Sequence, residues 1–136
     1  MVEDRLSDWV QFRNSSPSLE DVAKYWSDVK TIPFNHNLDP YNNNSWPTPW
    51  EIITDNVYDD LTLAVMIGYT IRLTGQFKDC QIEVRTMVDS TRKRLYNLVY
   101  VDNSMVLNYD RGCVINAQHI PESFFLENLV ELKRPR

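Results

Sequence analysis

The stretch that decides the fold is Asn56-Val57-Tyr58-Asp59-Asp60-Leu61-Thr62-Leu63-Ala64-Val65-Met66-Ile67-Gly68-Tyr69-Thr70-Ile71-Arg72-Leu73-Thr74-Gly75. Asn56 is a good helix N-cap, because its side-chain oxygen can accept from a free backbone N–H one turn in. Asp59 and Asp60 then fall in the first turn, where the helix dipole favours negative charge. Arg72 falls in the last turn and Gly75 follows, the complementary preference at the C-terminal end. Leu61, Leu63, Ala64, Val65, Met66, Ile67, Tyr69 and Ile71 leave no continuous polar face. A helix apolar on every side is a buried helix. It is too short and carries too many charges for a membrane span. The expectation is a central helix over 56–75, enclosed by the rest of the chain.

Downstream, the hydrophobic period changes from helical to alternating. Cys80, Ile82, Val84, Thr86 and Val88 alternate with Gln81, Glu83, Arg85 and Met87, the pattern of a half-buried strand. Asp89 to Lys93 is a polar connection, and Leu95 to Asp102 reads as a second, more apolar and more central strand. Asp102-Asn103-Ser104 turns the chain into a third strand at Met105–Tyr109, and Cys113-Val114-Ile115 is a short fourth. His119 to Phe125 begins a helical turn, and for residues 125–132 helix and strand both remain open.

Upstream, Leu6, Trp9, Val10 and Phe12 sit among charges as a short amphipathic helix, broken by Asn14-Ser15-Ser16-Pro17. Ser18 caps a second helix over 19–29, with Asp21 completing a capping box. Thr48-Pro49-Trp50-Glu51 is another start signal, with Thr48 as cap, Pro49 at the first helical position and Glu51 closing the box. Between them, residues 31–47 hold five asparagines and three prolines, which forbid a regular element. Phe34, Leu38, Tyr41 and Trp46 recur along it, so the expectation for 31–50 is a long ordered loop pinned to the core. Helices followed by an antiparallel meander over 80–115 make an α+β layout in a single domain, 1–136, with three or four strands.

Composition narrows the function classes. A net charge of −5 argues against a general nucleic-acid binder, which needs a basic face to displace counterions. The exception is a basic C-terminus, Lys133-Arg134-Pro135-Arg136. Two cysteines and two histidines have no zinc spacing, and no calcium-loop spacing joins Asp39 to Asp59 or Asp60, so neither metal nor cofactor is expected. The N-terminus has no signal-peptide pattern, which sets a cytosolic location, in a host cell or in a virion, as the expectation.

A buried helix followed at once by an antiparallel meander resembles the core of the transglutaminase-like, papain-related superfamily. In that family a nucleophilic cysteine opens the core helix as Cys-acid-acid, the helix ends in apolar-Arg-x-x-Gly, a histidine lies on the second strand and an aspartate ends the next. Here Tyr58-Asp59-Asp60, Ile71-Arg72-Leu73-Thr74-Gly75, Asn97 and Asp110 occupy those places, over roughly residues 48–112. The resemblance implies a scaffold without the cysteine chemistry. A phenol with an ordinary pKa of about 10 is a poor nucleophile near neutrality, and an asparagine amide cannot carry a proton between groups.

Short, asparagine-rich, cysteine-poor chains of this kind also resemble accessory or structural proteins of tailed bacteriophages. The reading is therefore a non-catalytic module that binds other proteins, copies of itself or virion components, with no membrane and no nucleic acid. The candidate contacts are Phe34, His36, Tyr41, Trp46 and Trp50, together with Lys133, Arg134 and Arg136. Two alternatives stand beside it. One is a small hydrolase or transferase built on Tyr58, Asn97 and Asp110 with His119, or on Cys113 with His119. The other is a regulator that binds a host enzyme.

Overall fold

The structure, a computed structural model, describes residues 2–33 and 38–135. Four helices come first: α1 (Val2–Asn14), α2 (Leu19–Tyr25), α3 (Pro49–Asp55) and α4 (Asp60–Arg72). Five strands follow: β1 (Ile82–Asp89), β2 (Arg94–Val101), β3 (Met105–Leu107), β4 (Val114–Asn116) and β5 (Phe124–Glu131). The sheet order is β4-β3-β2-β1-β5, with every neighbouring pair antiparallel. The α+β class is as expected and β2 is central. The sheet has one strand more than the sequence reading counted, because residues 124–131 return beside β1 instead of extending the meander.

Two capping boxes start helices where the sequence places them. Ser18 Oγ accepts from Asp21 N–H at 3.1 Å while Asp21 Oδ2 accepts from Ser18 N–H at 3.1 Å. Thr48 and Glu51 do the same at 3.2 and 2.9 Å, with Pro49 opening α3. Each box satisfies two backbone donors that a helix start leaves without partners.

The start of the central helix differs from expectation. Asn56 does not cap α4; it ends α3 in the left-handed conformation, with φ 55° and its N–H donating to Ile52 O at 2.9 Å. Asparagine tolerates that backbone better than most residues, so Asn56 serves the end of one helix through its backbone and not the start of the next. The N-cap of α4 is Asp59, whose Oδ1 accepts from Thr62 N–H at 2.7 Å and Thr62 Oγ1 at 2.6 Å. At the other end Leu73 is the C-cap, and Gly75 opens a separate 3-10 turn, Gly75–Phe77. The α2 helix is also shorter than the expected 19–29, closing at Trp26.

Enclosure of α4 is as the sequence predicts: every residue from Leu61 to Ile71 is buried except Tyr69, which is half-buried. Leu63, Met66, Ile67 and Ile71 share one core with Ile82 and Val84 of β1, Val99 and Val101 of β2, Leu107, and Leu132. The far face of the sheet carries a second apolar cluster of Met87, Leu98, Tyr100, Val106 and Phe124. On the helical side, α2 and α3 pack on α4 while α1 packs on α3. Leu38, 1% exposed, fastens the described part of the 31–50 segment to the core.

Arg72 closes the joint between the layers. Its Nε donates to Leu132 O at 3.0 Å, Nη1 to Lys78 O at 3.0 Å and Nη2 to Cys80 O at 2.5 Å. One guanidinium thus ties the end of α4 to the entry of β1 and the exit of β5. Among the described residues, no helix is long and apolar enough to cross a membrane.

Candidate functional site

The N-terminal end of α4 meets the sheet at β2, and a polar network fills that junction. Asp60 is the first residue of α4. Its Oδ2 accepts from Asn97 Nδ2 at 3.0 Å and from Asn97 N–H at 3.3 Å, and its Oδ1 accepts from Asn108 Nδ2 at 3.4 Å. Asn108 Nδ2 also donates to Asn97 O at 2.9 Å, and Thr86 Oγ1 donates to Asn97 Oδ1 at 2.9 Å. The chain turns at Asn108 just past β3 in a left-handed conformation, φ 69°. Helix, β1, β2 and the turn after β3 thus each contribute one polar side chain to a single cluster. A cleft of about 280 Å³ opens beside it, lined by Asp60 and Asn108 with Arg94, Tyr96, Tyr109 and Arg111. Arg111 is pinned across the cleft wall, Nη1 donating to Val29 O at 2.6 Å.

Tyr58 lies elsewhere. It is 4% exposed, its ring is 5.7 Å from that of Trp26, and it lines a different cavity, with Arg5, Tyr25 and Ile53. Burial pushes its phenol up to about 12, against a smaller opposing pull from Arg5. Its carbonyl accepts from Ile32 N–H at 2.7 Å, so the start of the 31–50 segment crosses the chain at Tyr58. No hydrogen bond among the described residues links Tyr58 to Asn97 or Asp110. The N-cap geometry explains this divergence: Asp59 turns back onto Thr62, which directs Tyr58 to one side and Asp60 to the other.

Of the three sequence-predicted positions, only Asn97 belongs to the network. Asp110 is exposed, and its backbone carbonyl accepts from Cys113 N–H at 3.2 Å to close a turn. The residues brought to Asn97 are Asp60, read from sequence as a helix-dipole charge, and Asn108, which is not among the sequence-predicted positions. The available signal for Asn108 was its place at the end of a short strand just before a turn.

Cys113 and His119 are both exposed and lie on either side of β4, with no hydrogen bond between them. Cys80 is half-buried, and burial followed by the neighbouring Asp102 pushes its thiol above the ordinary value, away from the reactive thiolate. Among the described residues no three His, Cys, Asp or Glu side chains group as a metal site.

The predicted contact residues divide. Phe34, His36 and Arg136 lie outside the described residues. Tyr41 is 69% exposed, and its hydroxyl donates to Glu127 Oε1 at 3.2 Å. Trp50 is half-buried against the core. Trp46, Lys133 and Arg134, distant in sequence, line one groove.

The fold is transglutaminase-like, shared with solved structures that superpose on it. Legionella pneumophila LapG in its calcium-bound form superposes with a TM-score of 0.65 at 19% identity, over 92% of this chain and 72% of that one. Two further LapG structures, one of them EGTA-treated, superpose at 0.65 and 0.64, each at 18% identity over 93% of this chain and 71% of theirs. No protein-family model and no curated sequence matches the chain.

Proposed function

We propose that this chain is a non-catalytic module, a transglutaminase-like scaffold that binds or assembles with other proteins. The observation carrying this reading is the content of the junction where α4 meets β2. Asp60 is held by Asn97 and Asn108, two amides that donate and accept hydrogen bonds but cannot pass a proton. Acyl-transfer chemistry needs a nucleophile with a base in reach and a group orienting that base. Tyr58, the residue at the expected nucleophile position, lines a separate cavity with Arg5, Asp8 and Tyr25, and burial pushes its phenol up to about 12. The separation of Tyr58 from Asn97 also counts against the hydrolase or transferase reading. The tailed-phage setting expected from composition has no support among the matched structures, and protein binding is proposed irrespective of source.

The test is a turnover assay on the purified chain, with fluorogenic casein for peptide cleavage and an amine-incorporation assay for acyl transfer. The expected result is no turnover above a heat-denatured control, with Tyr58→Phe folding as the parent does. Turnover that disappears in Tyr58→Phe or Asp60→Asn, with the fold intact by circular dichroism, would overturn the proposal.

A further inference from the structure

A cavity of about 750 Å³, sharing no residue with the cleft at the Asp60 junction, lies between the 43–49 loop and residues 130–135. Trp46 and Tyr69 are aromatic residues of its lining, which also includes Pro47, Pro49, Lys133 and Arg134. Trp46 is half-buried and locked, with its Nε1–H donating to Asp39 O at 2.6 Å, so its ring is presented without rotamer freedom to lose.

The charge here is one-sided. Among the described residues, no carboxylate pairs with Lys133 or Arg134. Arg134 also stands near Arg13, adding like-charge repulsion to the burial that already disfavours the Arg13 cation. Arg13 lies over the Trp9 ring at 4.3 Å, and its buried Nε has no hydrogen-bond partner. The one acid on the wall, Glu131, is engaged by Gln81 Nε2 at 3.3 Å. In a chain of net charge −5, a local set of cations without counter-ions is a place prepared for an outside carboxylate.

The wall's backbone defines the shape of the occupant. β5 is an edge strand bonded to β1, and among the described residues no strand pairs with its other side; Asn128 Nδ2 donates to Pro40 O at 2.6 Å, and the strand's last residues, Val130 and Glu131, line the groove. An unpaired edge beside a fixed aromatic surface suits an extended segment, whose backbone adds to the strand while alternate side chains enter pockets.

We propose that this groove binds an extended acidic peptide segment of a partner protein, an apolar or proline side chain seated on Trp46 and Tyr69 and carboxylates meeting Lys133 and Arg134. The proposal deepens the protein-binding reading but has its own site. Enzymatic turnover at the Asp60 junction would defeat that reading and leave the groove untouched.

The test is selection of random dodecapeptides displayed on phage against the immobilised full chain, followed by anisotropy titration of the enriched peptides. The expected outcome is enrichment of sequences with excess Asp and Glu around an apolar or proline position. Lys133→Glu and Arg134→Glu, both at exposed positions, are expected to weaken binding about tenfold or more with the far-ultraviolet spectrum unchanged. Added salt weakens the parent in the same direction. Trp46→Phe is expected to retain part of the affinity that the charge reversals remove. No enrichment, enrichment without acidic excess, or peptides bound equally by the charge-reversed variants would each overturn the proposal. So would stronger displacement by a single-stranded oligonucleotide than by the acidic peptides, which would identify a phosphate backbone as the ligand.

Discussion

Thr70 lies in the last turn of α4, and three hydrogen bonds meet on its hydroxyl. Its Oγ1 accepts from Trp9 Nε1 at 2.9 Å and from Trp26 Nε1 at 3.0 Å, and donates to Met66 O at 2.6 Å. Both indoles are buried, so neither N–H has water as an alternative. Thr70→Val keeps the shape and removes the acceptor, leaving two buried donors unmade at about 1–3 kcal/mol each. A loss of about 2–5 kcal/mol in urea unfolding is expected. Thr70→Ser, which restores the acceptor, is expected to recover most of it, losing only about 1 kcal/mol for the methyl group. A valine variant as stable as the parent would mean that the two indoles do not depend on this hydroxyl.

Legibility at this scale follows the range of the interaction. Ser18, Asp21, Thr48 and Glu51 could be read because a capping box closes within four residues. The bonds of Thr70 to Trp9 and Trp26, and of Asp60 to Asn97 and Asn108, could not, since they join residues 37 to 61 apart. Asn56 was readable as a cap of some kind; which helix it serves depends on a backbone angle that composition does not carry.

Among the elements, α4 packs closely against Leu132, the residue that follows β5. A Cβ added at Gly68 would run into Leu132 Cδ1, with Ile82 Cγ2 3.6 Å away. Glycine here permits close approach of the helix to the strand end, at some cost in helix propensity. Gly68→Leu is expected to destabilise by about 1–3 kcal/mol or more through overpacking. Combining it with Leu132→Ala vacates the space, so the double variant is expected to be more stable than the sum of the two single losses predicts. Strict additivity in thermal melts would separate the two positions energetically and contradict this contact.

The same strand marks where sequence reading of elements ends. The α4 pattern was legible because burial on all sides leaves one unambiguous signature. β5 was not, because its register shifts between Thr86 and Met87 of β1: Met87 pairs with Leu126 while Thr86 pairs with Asn128. Glu127 is the extra residue, and it breaks the strict alternation by which a strand is recognised. Exposed Phe125, Leu126 and Leu129 obscured the inside–outside pattern further.

For the whole molecule, stability against pH joins the caps to the core. Asp21 and Glu51 have pKa values lowered from 3.8 and 4.5, first by the backbone hydrogen bonds of their capping boxes. A carboxylate depressed in the fold stabilises above its unfolded pKa, and that contribution is lost as pH falls through the folded value. Asp21→Asn and Glu51→Gln are therefore expected to flatten the acid limb of the unfolding midpoint plotted against pH. At the alkaline end the sign reverses. Burial raises the Tyr58 phenol from 10.0 to about 12, so the unfolded chain ionises first. Its contribution is complete below pH 10 and declines between 10 and 12, by about 2–3 kcal/mol at one pKa unit per 1.36 kcal/mol. Tyr25, Tyr69 and Tyr100 are raised too, each chiefly by burial, so Tyr58→Phe is expected to flatten the alkaline limb in part. The two limbs are physically separate, one from exposed hydrogen bonds at helix starts and the other from desolvated tyrosine rings. Each substitution should then act on its own limb alone. An alkaline slope unchanged in Tyr58→Phe would mean that the phenol ionises as easily in the fold as out of it, and the argument that Tyr58 is sealed away from any nucleophilic role would lose its footing.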